Sequence, residues 1–92
     1  MAEQKRMTMV EQIFETILIE QVGKEFKKLG QIQMNTIPLI GHYYYHFIKK
    51  TLYNVEAIIH DDMNVYIVLS KTLEGDPYFG VAEKLYSNDD ND

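Results

Sequence analysis

Two histidines four residues apart, His42 and His46, bracket three tyrosines in the stretch GHYYYHFIKK, residues 41–50. What chemistry they could support depends on how the chain runs between them. On a helix, residues four apart place their Cβ atoms about 5–6 Å from each other, and both imidazoles can reach one ion. On a strand the same two residues share a face, but their Cα atoms stand about 13 Å apart and one ion cannot hold both. A shared site would also need a third ligand, for which the run His60, Asp61, Asp62 is the concentrated candidate. The HxxxH spacing lacks the intervening glutamate that serves zincins as general base. His42, His46, His60 and Asp61 therefore define an alternative reading, a metal-binding or metal-dependent hydrolase domain. The preferred reading has no metal and no cofactor.

Other routes to catalysis find little support. Ser70 and Ser87 have no flanking glycine elbow. The five glycines build no phosphate-cradling loop. Asp61 and Asp62 are sequence neighbours in a turn-forming run and read as turn formers. No acid stands two residues before Lys71, as a metal-nuclease pattern would require. A non-enzymatic protein is expected.

The tyrosines pose a separate question. Tyr43, Tyr44, Tyr45 and Tyr53 with Lys49 and Lys50 have the composition of a base-stacking platform beside a phosphate-binding pair. Against that, residues 1–60 carry seven Lys/Arg and six Asp/Glu, a sum of only +1. Residues 61–92 carry two Lys and eight Asp/Glu, a sum of −6, and end in the acidic run SNDDND. Direct nucleic-acid binding is disfavoured, and a basic protein partner fits better. Tyrosine-rich surface supplies contact area and acids supply complementarity, which makes Tyr43, Tyr45, Tyr53, Asp76, Tyr78, Asp89 and Asp90 the candidate partner-binding residues. Small acidic modules that inhibit or regulate a basic nucleic-acid enzyme share this composition, including those of mobile elements, phages and toxin-neutralising pairs.

These residues must be held by elements that the hydrophobic pattern suggests. Val10, Phe14, Leu18, Val22, Phe26 and Leu29 recur every three or four residues, with Ile13 and Ile17 widening the stripe. Thr8 and Glu11 form a capping-box pattern and Gly30 a left-handed stop, so the spacing predicts a helix over 8–29. Ile19, at the margin of that stripe, is a candidate dimer face, since a helix on a small sheet leaves one sheet face open. Strands are expected near 31–37, 42–51, 55–60 and 65–71, the last as a covered central strand and the last two joined as a hairpin through DDMN. Residues 39–53 satisfy both periodicities; the tyrosine run favours strand and the Leu39-to-Leu52 spacing favours helix, with strand preferred. VAEKLY fits a strand or one helical turn.

The fold expected is α+β, one long N-terminal amphipathic helix packed on a small antiparallel sheet of three or four strands. A single domain over 1–86 would precede an acidic, unstructured tail over 87–92. Apolar residues are 46% and charged residues 25% of the chain, a globular balance. There is no cysteine, hence no disulfide and no thiolate chemistry, which suits a cytoplasmic setting. Glu11 and Glu15 break any signal-peptide pattern, and no stretch approaches the roughly 18 apolar residues of a membrane span.

Overall fold

The computed structural model describes residues 13–87. Within them five strands form one mixed sheet: β1 (Phe14–Val22), β2 (Glu25–Met34), β3 (Tyr43–His46), β4 (Thr51–His60) and β5 (Val65–Lys71). A short helix, α1 (Val81–Ser87), follows. The spatial order is β2-β1-β5-β4-β3, and the sheet curls into a half-barrel. β1 and β5 run parallel at its middle, and every other neighbouring pair is antiparallel.

The architecture is mainly β, which corrects the α+β expectation. Where a helix over 8–29 is predicted, the described residues form the β1–β2 hairpin; Thr8, Val10 and Glu11 lie outside them. The physical reason lies in the spacing. Phe14, Leu18 and Val22 are four apart, and four is an even number, so the same residues also line one face of a strand. The inward row of β1 is Phe14, Thr16, Leu18, Glu20 and Val22, and two of its most buried members are polar: Thr16 is 0% and Glu20 4% exposed. Those polar residues hide the alternation. The turn itself is Gly23–Lys24, with Gly23 at φ +62° and Lys24 not in the left-handed region. Glycine at the first central position of a two-residue loop gives a type II′ turn, whose twist matches that of the flanking strands. Gly30 stops no helix. It lies opposite Leu18, beside a bulge where the register slips by the extra residue Leu29.

The second half of the chain follows its pattern more closely. β4 and β5 form the expected hairpin, and β5 is central. Ile67 and Leu69 on its inner face are fully buried, and Val68 on its outer face is buried as well. The Asp61 carboxylate closes the turn by accepting the Met63 and Asn64 backbone N–H groups at 2.7 and 2.6 Å, and the Tyr66 hydroxyl at 2.6 Å. The single strand expected over 42–51 is instead β3, a turn over 47–50, and the first residue of β4. That turn is held by Lys50 N–H to the Phe47 carbonyl at 3.2 Å and by Lys49 N–H to His46 Nδ1 at 3.2 Å.

The core occupies the inner face of the half-barrel. Leu18, Tyr53, Val55, Val65, Ile67 and Leu69 are its buried cluster, and Tyr44 and Ile58 are among the half-buried residues packed on it. Among the described residues no helix is long and apolar enough to cross a membrane.

Candidate functional site

β3 pairs with β4 in the register Tyr43↔Asn54, Tyr44↔Tyr53, Tyr45↔Leu52 and His46↔Thr51. Side chains alternate across the sheet, so the tyrosine run splits: Tyr44 and Tyr53 face the core, while Tyr43, Tyr45 and Leu52 face outward. The run is extended, as the preferred sequence reading has it.

After β5 the chain turns back over this outer face. Thr72 N–H bonds the Leu52 carbonyl at 3.0 Å, anchoring the loop to the start of β4. Successive turns follow, with Asp76 N–H to the Leu73 carbonyl at 2.9 Å and Phe79 N–H to the Asp76 carbonyl at 3.0 Å. The Asp76 side chain accepts the Tyr78 N–H at 2.8 Å and the Tyr43 hydroxyl at 3.0 Å from either carboxylate oxygen. The Tyr43 and Tyr78 rings meet edge to face, with centroids 5.4 Å apart. Partial desolvation, and then the bonded Asp76 carboxylate, hold the Tyr43 phenol above its ordinary range, so it remains a donor.

α1 then crosses the outer face. Its Ala82 and the strand residue Leu52 line a hollow on each side of the helix. One hollow, of about 230 Å³, is walled by Tyr43, Tyr78, Val81 and Leu85 and is almost wholly apolar in its side chains. The other, of about 210 Å³, lies toward Tyr45, Lys50 and Phe79. Leu85 is 63% and Tyr78 56% exposed, so the first hollow is a notch open to solvent. Its chain neighbourhood is acidic. Residues 73–92 hold six Asp/Glu and one Lys, a sum of −5, whereas residues 1–72 hold eight of each sign. The whole net charge thus belongs to the segment that supplies Tyr78, Val81 and Leu85 to the notch, and three of its six acids, Asp89, Asp90 and Asp92, lie outside the described residues.

Three of the candidate partner-binding residues therefore meet, Tyr43 joining Asp76 and Tyr78 from 33 or more residues away. Tyr45 shares their face, beside Phe47 at a ring separation of 5.4 Å. Tyr53 does not join them: it points inward and is fully buried. Asp89 and Asp90 lie outside the described residues. Ile19 is a half-buried strand residue level with Val68, on the outer face of β1. Val81 and Leu85, spaced i and i+4 on α1, went unassigned in the sequence, although that spacing was the signal for them.

The three histidines of the metal reading are kept apart, and only Asp61 lies beside one of them, His60. His42 sits just before β3 and His46 at its end, with an extended run between them. His46 lies opposite the first residue of β4, while His60 is its last, nine residues and about 30 Å further along the strand. His42 Nδ1 accepts the Leu39 N–H at 3.3 Å and His46 Nδ1 the Lys49 N–H, so each ring closes a local turn. Among the described residues no group of three or more His, Asp or Glu could hold one ion.

Neither a family model, nor a curated protein, nor a solved structure matches this chain.

Proposed function

We propose that this chain is a small non-enzymatic module that binds a basic protein through the notch between β3 and α1, and that it inhibits or regulates that protein. The observation that carries the reading is the clamp of Tyr43 on Asp76. It fixes an aromatic wall beside an open apolar notch and ties that wall to residues 73–92, the segment that holds the whole net charge. Contact surfaces pair a desolvated anchor pocket with a charged rim, and the notch has both parts. An aliphatic or aromatic side chain of the partner would enter between Tyr43, Tyr78 and Leu85. Lysines or arginines around that anchor would meet Glu74 and Asp76. Among the described residues β3 is the edge strand beside the notch, and its outer edge would offer backbone groups for the same contact. A cysteine-free chain suits a partner in the cytoplasm.

The test is affinity capture from lysate of the native host with three immobilised forms: the natural chain, Leu85→Glu, and Ile32→Glu on the distant β2 edge. The reading expects one basic protein retained by the natural chain and by Ile32→Glu, lost with Leu85→Glu, and released as salt rises. Equal retention by all three forms would overturn it.

A further inference from the structure

The inner face of the half-barrel changes character toward one end. Its middle is mostly apolar, but toward the ends of the parallel strands the inward rows bring in Glu20, two residues before the end of β1, and Lys71, the last residue of β5. Lys27 lies opposite Glu20 on β2, and Tyr53 lies opposite Lys71 on β4. Together with Thr51 and with Lys49 from the β3–β4 turn, they line an open cavity of about 440 Å³ in which Val22 is the sole aliphatic wall among the described residues. This hollow is on the sheet face opposite the notch.

Two of its groups are costly to bury without a partner. Glu20 is 4% exposed. Tyr53 is fully buried, and its hydroxyl bonds nothing among the described residues. A buried hydroxyl without a partner is rare in folded proteins and asks for an explanation. Desolvation, and then the nearby Glu20 charge, keep the Tyr53 phenol protonated, so it presents a donor. The His46 ring stands edge to face against the Tyr53 ring, centroids 6.4 Å apart, and steadies it.

The lining chemistry defines what would complete the site. Lys27, Lys49 and Lys71 against Glu20 sum to +2, on a chain whose net charge is −5. That excess suits a dianion. A bare anion would leave Glu20 facing like charge, so the ligand must also bring a hydroxyl donor for that carboxylate. One aliphatic wall and no exposed ring exclude a ligand that needs a stacked base or a greasy tail. The volume falls within the range of small-molecule sites and well above that of inorganic phosphate.

We propose that this cavity binds a small phosphorylated polyol, of the size and chemistry of a sugar phosphate. The three lysines hold the phosphate, the Tyr53 hydroxyl donates to a ligand oxygen, and Glu20 accepts a ligand hydroxyl. The site is independent of the notch, and protein capture can fail without touching it.

Calorimetric titration of the full chain tests this with glucose 6-phosphate, ribose 5-phosphate and glycerol 3-phosphate, against glucose, inorganic phosphate and a single-stranded oligothymidylate. At least one phosphorylated polyol is expected to bind one to one and at least tenfold more tightly than inorganic phosphate, with no heat from glucose. Tyr53→Phe removes only the unbonded hydroxyl, so it should melt no lower than the natural chain yet bind about tenfold more weakly. Lys27→Ala with Lys71→Ala should abolish binding. No binding by any of the three polyols would overturn the proposal. So would inorganic phosphate binding as tightly, oligothymidylate binding more tightly, or a Tyr53→Phe chain that binds like the natural one.

Discussion

The hydroxyl of Tyr43 lies 3.0 Å from both carboxylate oxygens of Asp76 and ties the edge strand β3 to a loop 33 residues further on. The same carboxylate accepts the Tyr78 N–H, so one acid holds an edge strand, a loop and an aromatic pair in register.

Tyr43→Phe should loosen that loop. Amide exchange at Tyr78, bonded to the Asp76 side chain, and at Phe79, bonded to its carbonyl, is expected to speed up, while β5 amides stay protected. Unchanged protection at Tyr78 would show that the clamp holds nothing. Alkali should act in the same direction. The folded Tyr43 phenol titrates above its ordinary value near 10, so its contribution is complete below that value and is lost as pH rises through the folded one. Ring carbon shifts of Tyr43 followed by NMR report this titration.

The β4–β5 turn gives the opposite pH sign. The Tyr66 hydroxyl, followed by the Asn64 and Met63 backbone N–H groups, holds the Asp61 carboxyl below the usual carboxylate range. Stability from this group is present above the unfolded value of about 3.9 and is lost as pH falls through the folded one. Asp61→Asn is expected to melt lower than the natural chain at pH 7, with the gap closing in acid. Melting curves at neutral and acid pH that keep a constant gap would contradict the role.

Gly23→Ala separates hairpin from helix by sign. In the middle of a helix the change would stabilise by about 1 kcal/mol. At φ +62° in a two-residue turn it should destabilise by about 1–2 kcal/mol through the backbone alone, since an added Cβ meets nothing within 4 Å. Urea midpoints of the two chains decide between these outcomes.

Ile67→Ala removes a fully buried side chain from the central strand. The expected cost is about 2–5 kcal/mol, against a total of about 5–10 kcal/mol for a domain of this size. Equilibrium unfolding in urea measures it, and a loss under 1 kcal/mol would be inconsistent with a core centred on β5.

The β4–β5 hairpin was legible in sequence because DDMN is turn chemistry and VYIVLS is dense in β-branched residues, signals that tertiary context did not override. The β1–β2 hairpin was not. Phe14, Leu18 and Val22 satisfy both periods, and Thr16 and Glu20 look like surface residues although the curled sheet buries them. With the helix assumed, Gly23–Lys24 could not be read as a turn. The inner cavity was hidden for the same reason, since Glu20 and Lys27 come to one face only when the segment folds as a hairpin. The outer site was half legible. Residue type picked out Tyr43, Asp76 and Tyr78, but only the return of the chain over β3 shows that they touch. The same logic picked out Tyr53, which lies buried on the inner face, because composition does not say which way a strand residue points.

The most direct measurement of the central claim is crosslinking in the native host from a photoreactive residue at position 85, compared with the same residue at position 59 on the distant part of β4. One discrete adduct with a basic protein is expected from position 85, none from 59, and loss of the adduct when Tyr78 is changed to alanine. The same adduct from both positions, or none from 85, would contradict it.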